Sequence, residues 1–242
     1  MKKTLLIIFC LAFVFAFFGT YTPVSAQKDQ IKLKVFEHYP KNPGKPTPIS
    51  YCTLTSDAEV DHYGWAGWQM PDEGLNYSIN FNTKPKNLTD TQIQTAIDNS
   101  FATWTEADSN QIFIDIGSTS AKNPKYDSTN AILFKSIRSG AIAITYVWYY
   151  LSTGELVETD TVFNSRYKWS INDPSKDDCA GQAGTYDVQN IGTHEFGHWI
   201  GLDDLYNSVD KDLTMYGYGD LQELKKDSLG LGDITGVNSI LP

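Results

Sequence analysis

The chain is 242 residues long, with 19 basic against 29 acidic side chains and a formal net charge of −10. That length suits one domain with a sizeable core. The acidic balance leaves no basic footprint for nucleic acid and mainly serves solubility.

Residues 1–26 carry Lys2 and Lys3, an apolar run from Thr4 to Gly19, and small residues at Val24 and Ala26. This is the pattern of a secretory signal peptide with cleavage after Ala26. The run is short for a membrane span, which needs about 20 apolar residues, so an uncleaved anchor is the lesser alternative. Cleavage removes two lysines and no acid, taking the formal charge from −10 to −12. No later stretch is apolar enough to cross a bilayer, so the expectation is a secreted chain with no stable membrane association once the signal is gone. Cys10 leaves with the signal, and Cys52 and Cys179 remain. An even cysteine count in an exported chain predicts one disulfide. The sharper alternative makes Cys52 a thiolate that blanks a metal until a leader is removed.

Residues 27–49 are rich in Lys, Pro and Asn, with HYPKNPGKPTP at their centre. They read as a linker or a short extended leader and not as a core element. From residue 50 to 242 the chain reads as one domain. LNYSINFN alternates like a strand. In LTDTQIQTAIDNSFATW, Ile93, Ala96, Ile97, Phe101 and Trp104 share a helical face, with Thr89 and Gln92 as a capping box. QIFIDI, AILFKSI and AIAITYVWYYL are further strands, and after the STGE turn VETDTVFN alternates again. A polar loop holds Cys179, and VQNIGTHEFGHWI is a helix stopped at Gly201. LGLGDITGVNSIL spaces Ile234, Val237 and Leu241 for a last helix. This order predicts an α+β (mixed α/β) domain around one mixed sheet.

The chemistry lies in THEFGHWIGLDD, residues 193–204. On a helix His194 and His198 project from one face and can grip a zinc ion at about 2.0–2.1 Å each. Glu195 is turned aside by one residue, where it serves as a general base without ligating. A catalytic zinc usually takes a third protein ligand. The only other histidines, His38 and His62, lie far upstream. Gly201 lets the chain leave the helix and return beneath the metal, as in the longer pattern H-E-x-x-H-x-x-G-x-x-H. Its final position is Asp204, with Asp203 as the neighbouring alternative. A site completed by Glu223 is a third arrangement, which its distance in sequence and Gly201 disfavour.

HEFGHWIGLDD, followed by Met215 in LTMYGY, resembles the metzincin metalloproteases, and among them the matrixin-like secreted proteases of bacteria and archaea. The resemblance extends over nearly all of residues 50–242. It implies a twisted mixed sheet with an antiparallel edge strand, an active-site helix and a C-terminal helix. Most metzincins carry a histidine where this chain has Asp204, whereas snapalysin-type proteases carry an aspartate. The family pattern makes Met215 a hydrophobic floor beneath the ligands, not a ligand. It lays an extended peptide antiparallel to the strand matching Ser139–Ile144, with Ile142 and Ala143 at the substrate and Tyr216 and Tyr218 on the outgoing wall. Ile144 stands near the place where matrixins hold a second zinc with a histidine, so no histidine-built second zinc is expected. The Asp-rich loops leave a calcium ion open, at no assigned position.

The function this implies is a secreted, monomeric zinc endopeptidase acting on peptide or protein substrates, with Glu195 activating a zinc-bound water. The alternatives are a catalytically silent exported zinc-binding or surface protein on the same fold, and a non-proteolytic zinc hydrolase.

Overall fold

The computed structural model describes residues 29–41, 58–172 and 181–240. The signal segment, Cys52 and Cys179 lie outside the described residues, and so does the expected disulfide. The elements run β1 (Ile31–Pro40), β2 (Leu75–Ile79), α1 (Asp90–Ala107), β3 (Phe113–Ser118), β4 (Ala131–Lys135), β5 (Ala143–Tyr150) and β6 (Leu156–Asn164). There follow β7 (Trp169–Ser170), β8 (Tyr186–Asp187), α2 (Val188–Ile200), β9 (Tyr218–Gly219) and α3 (Leu231–Ile240).

One seven-stranded sheet has the order β3-β2-β4-β6-β5-β1-β9, and β7 pairs with β8 apart from it. Strands β2, β3, β4 and β6 are mutually parallel, and β5 runs antiparallel to β6. Parallel neighbours cannot be joined by a tight turn, and α1 supplies the crossover from β2 to β3. The mixed α/β class and the antiparallel strand at the β5 side agree with the expectation from sequence.

Helix α1 starts where its capping box predicts. The Thr89 side chain accepts from Gln92 N, and the Gln92 side chain accepts from Thr89 N. Its buried side contains Ile93, Ala96, Ile97, Phe101 and Trp104, the stripe visible in the sequence. That stripe meets α2. Phe101 stacks on Phe196 at 3.9 Å between centroids, and Trp104 Nε1–H donates to Thr193 O at 2.8 Å.

Strand β6 departs from its sequence pattern. Its alternation suggests one wet face, yet every residue from Glu158 to Asn164 is buried. The reason is that both faces are covered. Thr161 and Phe163 face the helices, while Glu158 and Asp160 face the loop before β4. Their carboxylates accept backbone N–H groups from Asp127 (2.8 Å), Lys125 (2.8 Å) and Ala131 (2.8 Å). The acids thereby anchor a long polar loop to the sheet.

The other departure is β1. The stretch expected to stay outside the core contains a ten-residue strand, and it buries Phe36 and His38. Its IKLKV run alternates as a strand does, but the Lys- and Pro-rich composition around it reads as a linker.

Helix α1, helix α2 and the turn at Met215 meet at Gly197. A Cβ there would sit 2.2 Å from Met215 Sδ and 2.9 Å from Trp104 Cζ2. Ala normally gains about 1 kcal/mol over Gly inside a helix, but overpacking of this kind costs about 1–3 kcal/mol. Gly197→Ala is therefore expected to lower the melting temperature by several degrees, at about 2–4 °C per kcal/mol for a domain of this size. A variant melting at or above wild type in calorimetry would contradict this packing.

Candidate metal and catalytic centre

Helix α2 is buried along almost its whole length, including both histidines and Glu195. Its start is fixed by the Asp187 carboxylate, which accepts from Asn190 N at 3.0 Å. Its end is a left-handed turn at Gly201, φ 118°. Leu202 N donates to Gly197 O at 3.0 Å and Gly201 N to His198 O at 3.2 Å, the paired bonds of a Schellman stop. A Cβ on Gly201 would lie 2.2 Å from Trp68 O, so glycine is demanded twice, by backbone angle and by space. The segment at Gly64–Trp68 holds the returning loop. Ala66 N donates to Gly201 O at 2.7 Å, Asp203 N to Gly64 O at 2.8 Å, and Trp68 Nε1–H to His198 O at 2.9 Å.

The return places Asp204 against the histidines. Its Oδ1 lies 3.2 Å from His194 Nε2 and 3.6 Å from His198 Nε2. Each imidazole uses its other nitrogen to donate to a backbone carbonyl. His194 Nδ1 bonds Thr214 O at 2.7 Å, and His198 Nδ1 bonds Leu202 O at 2.8 Å. These bonds fix the tautomer and leave both Nε2 atoms as lone-pair donors aimed at Asp204. His194 Nε2, His198 Nε2 and Asp204 Oδ1 are all buried without a hydrogen-bond partner. Unpaired buried polar atoms are costly, and three converging on one point fit the ligand set of a metal ion. The protonation states agree with that. Burial, reinforced by Lys226, pushes His194 down to about 3. Burial opposes charge on Asp204 too, but His198 and His194 outweigh it and hold the carboxyl at about 2. At neutral pH the imidazoles are neutral and the carboxylate is ionised, as ligation requires.

Asp203 is turned away. Its Oδ1 accepts from Asp204 N at 3.0 Å and its Oδ2 pairs with Lys34 Nζ at 3.0 Å. Glu223 is engaged elsewhere, accepting from Asp220 N at 2.9 Å and lying 3.3 Å from Lys225 Nζ. Met215 is buried under α2, with its Sδ against Gly197. Its turn is clamped from α3 by the buried Asp233, whose carboxylate accepts from Thr214 N (2.9 Å), Met215 N (3.0 Å) and Gly230 N (2.9 Å).

Glu195 is held from the sheet side. Its Oε2 accepts from the Thr145 hydroxyl at 2.6 Å. Thr145 in turn is 2.8 Å from the Thr161 hydroxyl, which accepts from Trp199 Nε1–H at 3.0 Å. The indole only donates, so when Glu195 is ionised the chain runs one way, from Trp199 through Thr161 and Thr145 to its carboxylate. Glu195 Oε1 has no hydrogen-bond partner. Burial raises its carboxyl to about 8, with the Thr145 bond acting in the opposite direction.

Two buried residues were not singled out from the sequence. The His38 ring lies 3.9 Å from that of His194, and its Nδ1 comes within 3.3 Å of Glu195 Oε1 without hydrogen-bond geometry. Lys226 Nζ sits 3.1 Å from His38 Nε2 and donates to Tyr216 O at 2.5 Å. His38, His194 and Glu195 form a second set of groups close enough to share an ion. That His38 is one of only four histidines was the available signal. Tyr206, whose hydroxyl donates to Asp204 Oδ2 at 3.0 Å, was also unflagged. Of the residues expected at the substrate, Ile142 and Ala143 lie at the start of β5 beside His38. Ile142 N donates to His38 O at 2.6 Å. Tyr218 lies in β9, 5.6 Å from the Tyr216 ring.

A helix that presents two histidines and a glutamate, packed on a methionine turn, with an aspartate returning against the histidines, is a candidate metallopeptidase centre. The matrixin family model matches residues 67–241, and the chain belongs to this family of zinc-dependent endopeptidases. No curated protein matches it at a significant level.

The geometry separates the two aspartates. Asp204→Ala is expected to lose zinc affinity severely, since two imidazoles leave the ion undercoordinated. Asp203→Ala should stay within the roughly 10–100-fold range of an outer-shell change. Equal or reversed losses in zinc titrations would overturn this distinction.

Proposed function

We propose that this chain is a secreted, monomeric zinc endopeptidase in which His194, His198 and Asp204 hold the metal and Glu195 is the general base. The observation that carries this is the convergence of the three partnerless buried atoms, His194 Nε2, His198 Nε2 and Asp204 Oδ1. Secretion rests on the signal pattern of residues 1–26, and among the described residues no helix is long and apolar enough to cross a membrane.

Zinc, when bound, supplies a Lewis acid that polarises the scissile carbonyl and makes water acidic near neutral pH. The rest is done by the chain's own side chains. Thr145 fixes one oxygen of Glu195, leaving Oε1 to accept a proton from the attacking water and later deliver it to the leaving amine. An extended peptide takes the edge of β5 at Ile142 and Ala143 that β1 covers in this structure, and passes Tyr216 and Tyr218 on its way out.

Glu195→Gln should keep the metal and the fold but lose about 10²–10⁴-fold in peptide hydrolysis, because the amide cannot take the proton. Near-wild-type turnover with bound zinc would refute the base assignment. Thr145→Val gives a pH test. The hydroxyl favours the ionised form of Glu195, so its loss raises that pKa. The base is active only when deprotonated, so the acid limb of kcat/KM should move to higher pH. An unmoved limb would exclude Thr145 from tuning the base.

A further inference from the structure

Lys226 is fully buried beside the metal position. Its backbone N donates to Asn190 Oδ1 at 2.8 Å, which holds its turn against α2. Its ammonium donates to Tyr216 O and, at 3.1 Å, to His38 Nε2, because an ammonium only donates and the imidazole nitrogen must accept. His194 Nδ1 lies 3.4 Å away but is committed to Thr214 O. Among the described residues Lys226 forms no ion pair with a carboxylate. Glu223, the acid that acts on it most strongly, is itself paired with Lys225 at 3.3 Å. Asp204 and Glu195 act on it more weakly, and one is a ligand and the other the base. A buried charge without a countercharge is costly, so an ammonium kept here points to an anionic partner that the chain itself does not supply.

The His38 imidazole marks the space in front of that ammonium. A Cβ on Gly219 would lie 3.1 Å from His38 Nε2, 3.1 Å from Ile142 Cδ1 and 3.3 Å from Ile191 Cδ1, so the three side chains meet at one point. The His194 ring closes another side, 3.9 Å from the His38 ring between centroids. Glu195 Oε1 adjoins the opening, 3.3 Å from His38 Nδ1. The recess thus has apolar walls, a ligand histidine on one side and a cation at its end. A peptide on the β5 edge at Ile142 and Ala143 sets one side chain into it. The closeness of Glu195 and His194 makes that residue a neighbour of the scissile bond.

We propose that Lys226 sets the specificity of the centre, its buried ammonium selecting peptides that carry a carboxylate side chain at a residue flanking the scissile bond. This rests on the peptidase reading above. Glutamate fits best, because its carboxylate oxygens stand as many bonds from Cα as the histidine Nε2 does. Such a side chain gives the ammonium the charged acceptor it lacks, in a place where water is excluded and the pair is strong. Glutamine fills the same volume but leaves the charge uncompensated, and lysine sets two ammonium groups together. Discrimination therefore comes from the cost of a wrong occupant as much as from the gain of the right one.

The test has two arms, both on the full chain. The first reads the recess without catalysis, in metal-free protein, through hydrogen exchange at the Ile142 amide, which donates to His38 O at 2.6 Å. His38→Glu and His38→Gln are compared with Lys226 present and in Lys226→Met, a cycle that cancels what Glu195 contributes by itself. Protection with glutamate relative to glutamine should fall at least about tenfold when the ammonium is removed. Lys226→Gln, which keeps a donor for Tyr216 O, takes the place of Lys226→Met if that chain does not fold. The second arm digests a mixed peptide library with zinc-loaded protein. Glutamate should be enriched at least about tenfold over glutamine and lysine at one of the two residues flanking the cut, and Lys226→Met should abolish the enrichment. Zero coupling in the first arm, cleavage with no acidic preference, or a preference that survives Lys226→Met would overturn the proposal and leave the peptidase reading intact. Coupling with no cleavage of any peptide would support the anion-selecting recess and count against the peptidase reading instead.

Discussion

Two hydrogen bonds from imidazole Nδ1 atoms to backbone carbonyls orient the centre on which the rest depends. His194 bonds the carbonyl of Thr214 and His198 that of Leu202. Each bond fixes which nitrogen carries the proton, and so frees the other to donate a lone pair. Neither carbonyl is supplied by the helical ladder. Leu202 is in position because Gly201 turns left-handed against the Trp68 carbonyl, and Thr214 because Asp233 holds its turn from α3. The segment before β2 and the C-terminal helix therefore hold the site through its backbone, Trp68 by bonding the His198 carbonyl and Asp233 by bonding the turn at Met215.

The centre is also an unusual interior. Both histidines, Glu195, Lys226, Thr145 and Thr161 are all buried. Polar groups are tolerated there only when paired, and most of these are, through directed chains such as Trp199 to Glu195. The atoms left unpaired are those facing the point between His194, His198 and Asp204, together with Glu195 Oε1 and His38 Nδ1. Among the described residues, five of the eleven buried side-chain atoms without a hydrogen-bond partner gather in this one centre, and the other six are scattered over the domain.

Strand β1 joins this logic to the sheet edge. An exposed edge of β5 would present unpaired N–H and C=O groups, which invite another strand. Here the chain's own upstream segment answers them, and the partner it provides carries an aromatic ring and an imidazole at the two positions facing the ligand histidines. Backbone complementarity and side-chain placement act on the same ten residues.

Much of the architecture was legible in the sequence alone. The Thr89 capping box, the Ile93-to-Trp104 stripe and the spacing of His194, Glu195, His198, Gly201 and Asp204 are local patterns, set by helical periodicity and by glycine's access to left-handed angles. They determined the two principal helices, the family and the cluster of candidate ligands. Asp203 and Asp204 could be ordered only by register, until the fold turned one toward the histidines and the other toward Lys34. His38, Thr145, Thr161, Tyr206, Lys226 and Asp233 come from distant segments, and no periodicity links them to α2. Their roles were decided by tertiary structure, because hydrogen-bond pairing and strand addition depend on which surfaces meet in space, and a linear pattern of polarity carries no record of that meeting.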